Sequence, residues 1–384
     1  MNQTAPVAAA LPPRTGQERN YGIDFLRCVA MFMVVVLHIF NRGGAADALR
    51  ASTPAYQITF PLRILCAGAV NLFGLISGYV MFNSRFKLRR LLELWFQILI
   101  TGLALCIVGV LVCPKDTTGQ VWLRALMPIS QREFWYFSAY VGALVLSPLV
   151  NRGLSSMNRA QTLAVLWGSV LTFSVASIWG YCVVGDPFGI KSGYSALWLL
   201  VLYIIGACIR KENLLSGVKS RWLWLALAAS LAVSLGLDDL HQLAGWTALG
   251  SIQLANYVNP LQLVNGVCLL VLFSRLPCRS KGVRNVIRFF APLSFGVYLI
   301  HVHNTCWVWL EGRFRFLTGL PLWQMLPALL GCALAIYLVC SGLDWLRCLA
   351  FRLCRISRLC GWLEDRLKTG FLKIIRARPG MGTK

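Results

Sequence analysis

Three side chains in the first apolar stretch of the chain have the chemistry of a reaction centre. The stretch runs from Tyr21 to Phe40 and carries Asp24, Arg27 and His38 among apolar residues. Placing such a group at membrane depth costs about 3 kcal/mol even on lenient scales. At about 100° per residue of α-helix, Arg27 and His38 lie within ~20° of each other, and Asp24 lies within ~60° of both. The spacing therefore predicts one helix face with an acid, a guanidinium and an imidazole.

The chemistry suggested by this face is acid–base chemistry at neutral pH. A neutral imidazole such as His38 is suited to remove a proton from a hydroxyl group. Asp24 would orient or neutralise Arg27 through a charge-assisted hydrogen bond. The same residues also fit an ordinary helix start, with Asp24 in the first turn, Arg27 at the interface and His38 at the far end.

The composition indicates the medium in which these residues lie. Of 384 residues, 57% are hydrophobic and only 13% are charged, whereas soluble domains have about 25% charged residues. The chain is therefore predicted to be a polytopic membrane protein. Its net charge of +23 is explained by basic loops on the cytoplasmic side and not by a nucleic acid partner. Most of the 14 cysteines lie in apolar runs without a C-x-x-C pair, so they are expected to pack as small hydrophobes and no metal site is predicted.

The hydropathy pattern predicts an all-α membrane bundle of about ten transmembrane helices with both termini cytoplasmic. Residues 1–20 are expected to be a disordered cytoplasmic segment, and residues 21–346 the membrane domain. Residues 347–384 read as a basic amphipathic helix on the inner leaflet, or as a solvated tail. The predicted spans are 23–40, 61–82, 91–112, 134–150, 162–184, 194–209, 219–236, 255–275, 287–310 and 322–346.

Further polar motifs occur in other predicted spans. In the ninth span, helical spacing places Ser294, Tyr298, His301 and Thr305 on one face and His303 roughly opposite. The second span contains Phe73, Ser77, Gly78 and Tyr79, a set that also suits close helix packing. The basic cluster that follows it comprises Arg85, Lys87, Arg89 and Arg90. The fourth span opens with Glu133-Phe-Trp-Tyr136, which also fits an aromatic belt with a rim charge.

Taken in order, these motifs resemble those of the acyltransferase 3 family. The resemblance is carried by D-F-L-R with a histidine eleven residues after the arginine, F-x-x-x-S-G-Y, the tryptophan–tyrosine pair, and S-F-G-x-Y-L-I-H. It covers about residues 21–346. Members are integral-membrane acyltransferases that modify surface carbohydrates. One departure is Glu93, which stands where the family often has a further basic residue.

The resemblance implies roles for the residues that match the motifs. His38 is expected to be the general base, with Glu133, Tyr298 and His301 as further catalytic residues. Arg27, Asp24 and Ser77 are expected to face the acyl donor, and Arg85, Lys87, Arg89 and Arg90 to meet its phosphates. The donor would be acetyl-CoA or another acyl-CoA, with no permanently bound cofactor. The acceptor would be a glycan or lipid-linked saccharide at the cell membrane. Arg27 and His38 are ~16 Å apart along the helix, similar to the reach of a pantetheine arm.

Two other functions fit the same polar residues. A secondary transporter of a small polar solute also needs polar groups at membrane depth. A membrane haem protein could use His38 and His301 as axial ligands.

Overall fold

The computed structural model describes residues 19–47, 49, 53–84, 86–131, 133–245 and 251–376. Arg85, the first 18 residues of the predicted N-terminal segment and residues 377–384 of the predicted tail lie outside the described part of the chain. The described residues form helices and connecting turns without a β-strand. The prediction of an all-α architecture is therefore confirmed.

Seventeen α-helices are present in the described residues. In chain order they are α1 (Tyr21–Asn41), α2 (Pro54–Ala67), α3 (Ala69–Met81), α4 (Leu88–Val112), α5 (Gly119–Leu126), α6 (Trp135–Ser156), α7 (Arg159–Val170), α8 (Ser177–Val183), α9 (Ala196–Lys211), α10 (Ser220–Ala244), α11 (Ser251–Leu254), α12 (Pro260–Ser274), α13 (Lys281–Phe290), α14 (Ser294–Val302), α15 (Asn304–Leu310), α16 (Leu322–Leu353) and α17 (Ile356–Arg376). A π-helical turn, Leu171–Ala176, joins α7 to α8, and short 3₁₀ turns cover Lys191–Gly193, Ala291–Leu293 and Arg315–Gly319.

Seven helical segments are long and apolar enough to cross a membrane. They are Tyr21–Asn41, Pro54–Met81, Leu88–Val112, Arg159–Val183, Ser220–Ala244, Lys281–Val302 and Leu322–Leu353. The remaining three predicted spans, 134–150, 194–209 and 255–275, coincide with α6, α9 and the shorter α12. The described residues thus contain seven candidate spans, and the count of ten and the cytoplasmic position of both termini stay predictions.

The first helix lies at the centre of the bundle. It contacts α2, α3, α12, α13, α14 and α16. In the most apolar 18-residue stretches of Tyr21–Asn41 and Pro54–Met81, 61% and 67% of the residues are buried. In that of Arg159–Val183 only 22% are buried. Asn20 caps α1, because its side-chain oxygen accepts from the N–H of Ile23 at 3.1 Å and its amide donates to the Ser274 carbonyl at 2.9 Å. The outer helices present their apolar side chains outward, as lipid contact requires.

Glycine permits a close crossing of two helices in the bundle. Gly78 on α3 lies against the backbone of Tyr203, and Gly206 on α9 lies against the backbone of Leu75. A Cβ atom at either glycine would overlap the backbone of the facing helix. These two glycines therefore set the distance between α3 and α9, which is the small-residue packing typical of membrane helices.

The predicted ninth span is interrupted twice. The chain turns at Ala291–Leu293 and again at His303, whose ψ of 144° ends α14. Thr305 therefore starts a separate helix and does not continue the face of Ser294 and Tyr298. Its hydroxyl donates instead to the Leu105 carbonyl at 3.1 Å. The expectation of one continuous face through residue 305 is wrong, because the spacing argument assumed an unbroken helix.

The last long helix crosses the predicted boundary between the membrane domain and the tail, and the domain boundary itself stays a prediction. The last long apolar helix, α16, runs through Leu353, past the predicted boundary at residue 346. The following helix, α17, packs against α4, where the Ser357 hydroxyl donates to Glu93 at 2.5 Å and accepts from Arg89. The inner-leaflet position of this helix stays a prediction.

Candidate active site

The two histidines predicted to be catalytic are in direct contact. Nδ1 of His38 on α1 lies 2.9 Å from Nε2 of His301 on α14. The second ring nitrogen of His301, Nδ1, lies 2.6 Å from the Val297 carbonyl oxygen. Trp307 meets the His38 ring edge-on, with ring centroids 4.9 Å apart. The pair is thus held from both sides, by a backbone carbonyl and by an indole ring.

The carbonyl of Val297 determines the tautomer of both rings. A carbonyl oxygen only accepts hydrogen bonds, so Nδ1 of His301 must carry a proton. In a neutral His301 the other nitrogen, Nε2, is then an acceptor, and Nδ1 of His38 must donate to it. This leaves Nε2 of His38 with an unprotonated lone pair in a neutral ring. A base needs such a lone pair.

His38 lines a partly enclosed cavity of about 250 Å³, which we call the enclosed cavity. The cavity follows α1 from Arg27 past Met31 and Val34 to His38, and its other walls come mainly from α3, α6, α14 and the loop before α12. Arg27 and His38 therefore face the same cavity, as the helical spacing predicted. The remaining lining is mostly apolar and aromatic, so a ligand here would meet few polar groups, each at a defined place.

Tyr298 adds a free proton donor to the cavity. It lies one helical turn before His301, with ring centroids 6.4 Å apart, and its ring also meets Phe134 and Tyr136 edge-on. Its side chain is buried, and its hydroxyl proton has no acceptor among the described residues. Burying an unsatisfied hydroxyl is costly. The Tyr298 hydroxyl is thus available to a group that enters the cavity.

The opposite end of the cavity carries an ionic cluster. Asp24 is buried and accepts from Arg27 and from Arg19, each at 2.5 Å. Arg27 lines both the enclosed cavity and a second, wider one of about 630 Å³, which is also lined by Arg19, Tyr79 and Arg210. The wider cavity therefore has three guanidinium groups around one carboxylate. Arg27 stands where the two cavities meet.

The other residues expected at the donor end have different positions. Ser77 lines the enclosed cavity, and its hydroxyl donates to the Phe73 carbonyl at 2.8 Å. Lys87 and Arg90 are exposed, and neither they nor Arg89 line the two cavities. Arg89 pairs with Glu93 at 3.0 Å and also contacts Ser357. The guanidinium group of Arg89 is thus already paired with the carboxylate of Glu93.

Glu133 lies near the His38 end of the enclosed cavity but does not line it. It is in the loop just before α6 and receives the backbone N–H of Asn304. Burial raises the pKa of the Glu133 carboxyl above its ordinary value, although the Arg124 charge and the Asn304 N–H act in the opposite direction. Its charge is close enough to influence Tyr298. Glu133 is therefore placed to act on the site electrostatically without lining the cavity.

The remaining two histidines are not part of this site. His303 caps α15 by accepting from the N–H of Thr305 at 3.3 Å, and its other nitrogen lies 3.8 Å from the Cys106 sulfur. His241 lies near the end of α10 and lines neither cavity. Nδ1 of His38 and Nε2 of His301 are 2.9 Å apart, closer than the separation of about 4 Å that two metal–nitrogen bonds of ~2 Å each would span.

Sequence reasoning missed several residues of the site. Tyr140 and Tyr257 line the enclosed cavity, and Arg210 lines the wider one. Asn71 is fully buried, donates to the Tyr257 carbonyl at 2.8 Å and accepts from the Trp198 indole at 3.0 Å. Arg210 follows an apolar run and looked like a topology signal. A buried amide such as Asn71 in an apolar span was the one available signal, since it requires partners.

Comparison with known proteins gives one match. The family model of acyltransferase 3, described as an acyltransferase domain, matches residues 20–350, nearly the whole chain. No curated protein and no solved structure matches the chain significantly. The matched region contains the paired histidines and, except for Arg19, all the residues that line the two cavities. This chain belongs to the acyltransferase 3 family.

Proposed function

We propose that this membrane acyltransferase transfers an acyl group, most simply acetyl, from cytoplasmic acyl-CoA to a hydroxyl group of a cell-surface glycan or glycolipid. The protein would act in the cell membrane, taking the donor at the Arg27 end of the cavity and the acceptor at the His38 end. One observation carries the proposal: a single cavity has a guanidinium at one end and a pre-oriented imidazole at the other.

The chemistry follows from the groups at the His38 end. His38 Nε2 removes the proton of the acceptor hydroxyl while the oxygen attacks the thioester carbonyl carbon. The Tyr298 hydroxyl, which lacks an acceptor, donates to the oxyanion that forms. The intermediate collapses with cleavage of the carbon–sulfur bond, and the protonated His38 returns its proton to the thiolate. The products are an O-acyl ester and CoA.

The donor end is suited to a phosphorylated ligand. Arg19, Arg27 and Arg210 surround the wider cavity, and Asp24 is the single carboxylate among its lining residues. Guanidinium groups bind phosphate oxygens through paired hydrogen bonds. The volume of about 630 Å³ is within the usual range for ligand sites, about 300–1,000 Å³. We propose that CoA phosphates bind here and that the pantetheine arm enters past Arg27.

The direct test uses membrane vesicles of both orientations supplied with acetyl-CoA labelled in the acetyl group. Label is expected in the saccharide fraction only when acetyl-CoA reaches the Arg27 end. His38→Gln should lower the initial rate about 10²–10⁴-fold, the usual contribution of a general base. The matched control is His241→Gln, which changes an imidazole outside both cavities and should leave the rate unchanged.

The contrary outcomes are equally specific. A His38→Gln protein that inserts normally and transfers label at the wild-type rate excludes His38 as the base. Flux of a polar solute without any labelled saccharide favours a transporter.

Donor binding can be tested separately with two donors. Acetyl-CoA has the nucleotide phosphates, whereas S-acetylpantetheine lacks them. Arg210→Gln is expected to raise the KM for acetyl-CoA and to leave the KM for S-acetylpantetheine unchanged. Lys87→Gln serves as the matched comparison from the basic cluster predicted in the sequence. If Lys87→Gln produces the selective effect and Arg210→Gln does not, the phosphates bind at that cluster.

A further inference from the structure

Three aromatic side chains form a wall beside the His38 end of the cavity. Ring centroids of Trp135 and Tyr194 are 4.4 Å apart, those of Tyr194 and Tyr257 are 4.9 Å apart, and Trp135 and Tyr257 lie nearly parallel at 6.1 Å and 15°. The hydroxyl of Tyr257 donates to that of Tyr194 at 3.2 Å. We call Trp135, Tyr194 and Tyr257 the aromatic wall.

The aromatic wall connects the cavity to the surface. Trp135 is the first residue of α6, Tyr194 precedes α9 by two residues, and Tyr257 precedes α12 by three. Trp135 and Tyr257 line the same cavity as His38. Tyr194 is 42% exposed. A ligand could thus contact Tyr194 first and reach the cavity along the other two rings.

The loop that presents Tyr194 is held in a strained conformation. Lys191 and Ser192 have φ of 54° and 56°, in the left-handed region, where non-glycine residues cost about 1–3 kcal/mol each. Asp186 holds this turn by accepting from the backbone N–H of Ile190 at 2.9 Å and of Lys191 at 2.5 Å. Such strain persists only where the surroundings over-determine it, and it concentrates at functional sites.

The turn also packs directly against the aromatic wall. Gly193 has φ of 96°, and a Cβ atom there would lie 2.6 Å from Cβ of Tyr257 and 3.0 Å from the Trp198 ring. The backbone N–H of Ser192 donates to the Tyr181 hydroxyl at 2.5 Å. The position of Tyr194 is therefore determined by contacts on both sides of the turn.

We propose that the aromatic wall is the acceptor subsite, that it stacks against one pyranose ring, and that Asp186 is the positioning residue that holds Tyr194 in place. The inference rests on the proposed function. A pyranose ring has a flat C–H face that packs on the electron-rich face of an aromatic ring, and hydroxyl groups at its edge that bond to phenols. The three side chains of the wall carry no formal charge, which favours a neutral sugar ring over an anionic group.

The test separates acceptor binding from donor use. The acceptor is a glycolipid extract of the producing cells, added in increasing amounts to reconstituted wild-type protein with acetyl-CoA. Tyr194→Ala is expected to raise the acceptor KM about five- to tenfold, the range of an aromatic stacking contact. The KM for acetyl-CoA should not change. Tyr194→Phe keeps the ring and should restore most of the acceptor affinity.

Asp186→Ala should reproduce the rise in acceptor KM, and the double variant with Tyr194→Ala should be no worse than Tyr194→Ala alone. Trp323→Ala, which removes an indole that is 75% exposed on α16, is the matched control. A mixture of methyl hexopyranosides should compete with the acceptor in wild-type protein, whereas the open-chain polyol sorbitol should not.

The outcomes distinguish the two proposals. Wild-type protein that transfers no acetyl group refutes the proposed function itself. Transfer by the wild type with an unchanged acceptor KM in Tyr194→Ala, or equal competition by sorbitol, refutes the aromatic wall as the acceptor subsite. A change in both substrates' KM values in Asp186→Ala shows a general structural role and excludes the positioning role.

Discussion

The hydrogen bond between His38 and His301 gives the sharpest quantitative prediction. His301→Leu removes the acceptor that fixes the proton on His38 Nδ1, but it leaves His38 itself in the cavity. One neutral hydrogen bond contributes about 0.5–1.5 kcal/mol, which corresponds to about 2–13-fold in rate. The backbone hydrogen bonds of α14 stay intact, because the Val297 carbonyl still accepts the backbone N–H of residue 301. We expect kcat to fall by about tenfold with little change in either KM.

The assay is initial-rate acetyl transfer in proteoliposomes, with His38→Gln and the double variant measured in parallel. If His301 acts only through His38, the double variant should be no slower than His38→Gln alone. Multiplicative losses would show that His301 acts independently of His38. A loss in His301→Leu as large as in His38→Gln would contradict a positioning role and make His301 a direct participant.

Four further perturbations have defined outcomes. Asp24→Ala removes the carboxylate that orients Arg27 and Arg19 at the wider cavity. Because the two guanidinium groups are then no longer held in place, we expect a higher KM for acetyl-CoA with a smaller change in kcat, measured in steady state. Asp344 is fully buried and accepts two hydrogen bonds from Arg347, one at each carboxylate oxygen. Asp344→Ala leaves the Arg347 charge unpaired and should destabilise the protein by about 3–5 kcal/mol. Adding Arg347→Met removes that charge and should restore part of the melting temperature. Burial alone would raise the pKa of Asp186, but the backbone N–H groups of Lys191 and Ile190 lower it below its usual value. Its stabilisation is therefore fully present above the unfolded pKa of about 3.9 and is lost as pH falls through the folded value, so Asp186→Asn should lose this acid-side dependence of melting. Burial raises the pKa of Glu133, so its folded form keeps a proton to higher pH; Glu133→Gln, which mimics that protonated form, should match wild-type activity at acidic pH and diverge as pH rises through the folded pKa.

The sequence predicted the central helix and its polar face because both depend on local periodicity. Helical geometry alone placed Arg27 and His38 on one side, and both line the same cavity. The cost of burying these groups in lipid then required that they face the interior. The all-helical class followed in the same way from long apolar runs without strand-like alternation.

What the sequence could not predict depends on contacts between distant segments and on breaks in helices. The turn at His303 separates Thr305 from Ser294, yet the residues next to His303 include neither proline nor glycine. Arg210 reaches the wider cavity only because α9 packs on α3. Arg89 pairs with Glu93 and Ser357, and Ser357 comes from a helix far along the chain; a phosphate role for Arg89 stays a prediction.

If the acyl group enters the cavity as proposed, the tight crossing of α3 and α9 limits the size of the acyl group. Ser77 and Phe73 are part of the cavity wall and lie on the same helix as Gly78. Because Gly78 and Gly206 rest on facing backbone atoms, a single extra methyl group at either position would push α3 away from α9 toward the space that the acyl chain would occupy. The width of the cavity at Ser77 and Phe73 thus depends on Gly78 and Gly206 having only a hydrogen atom where other residues have a Cβ. Both glycines are on the side of α3 that faces α9, away from the reacting groups.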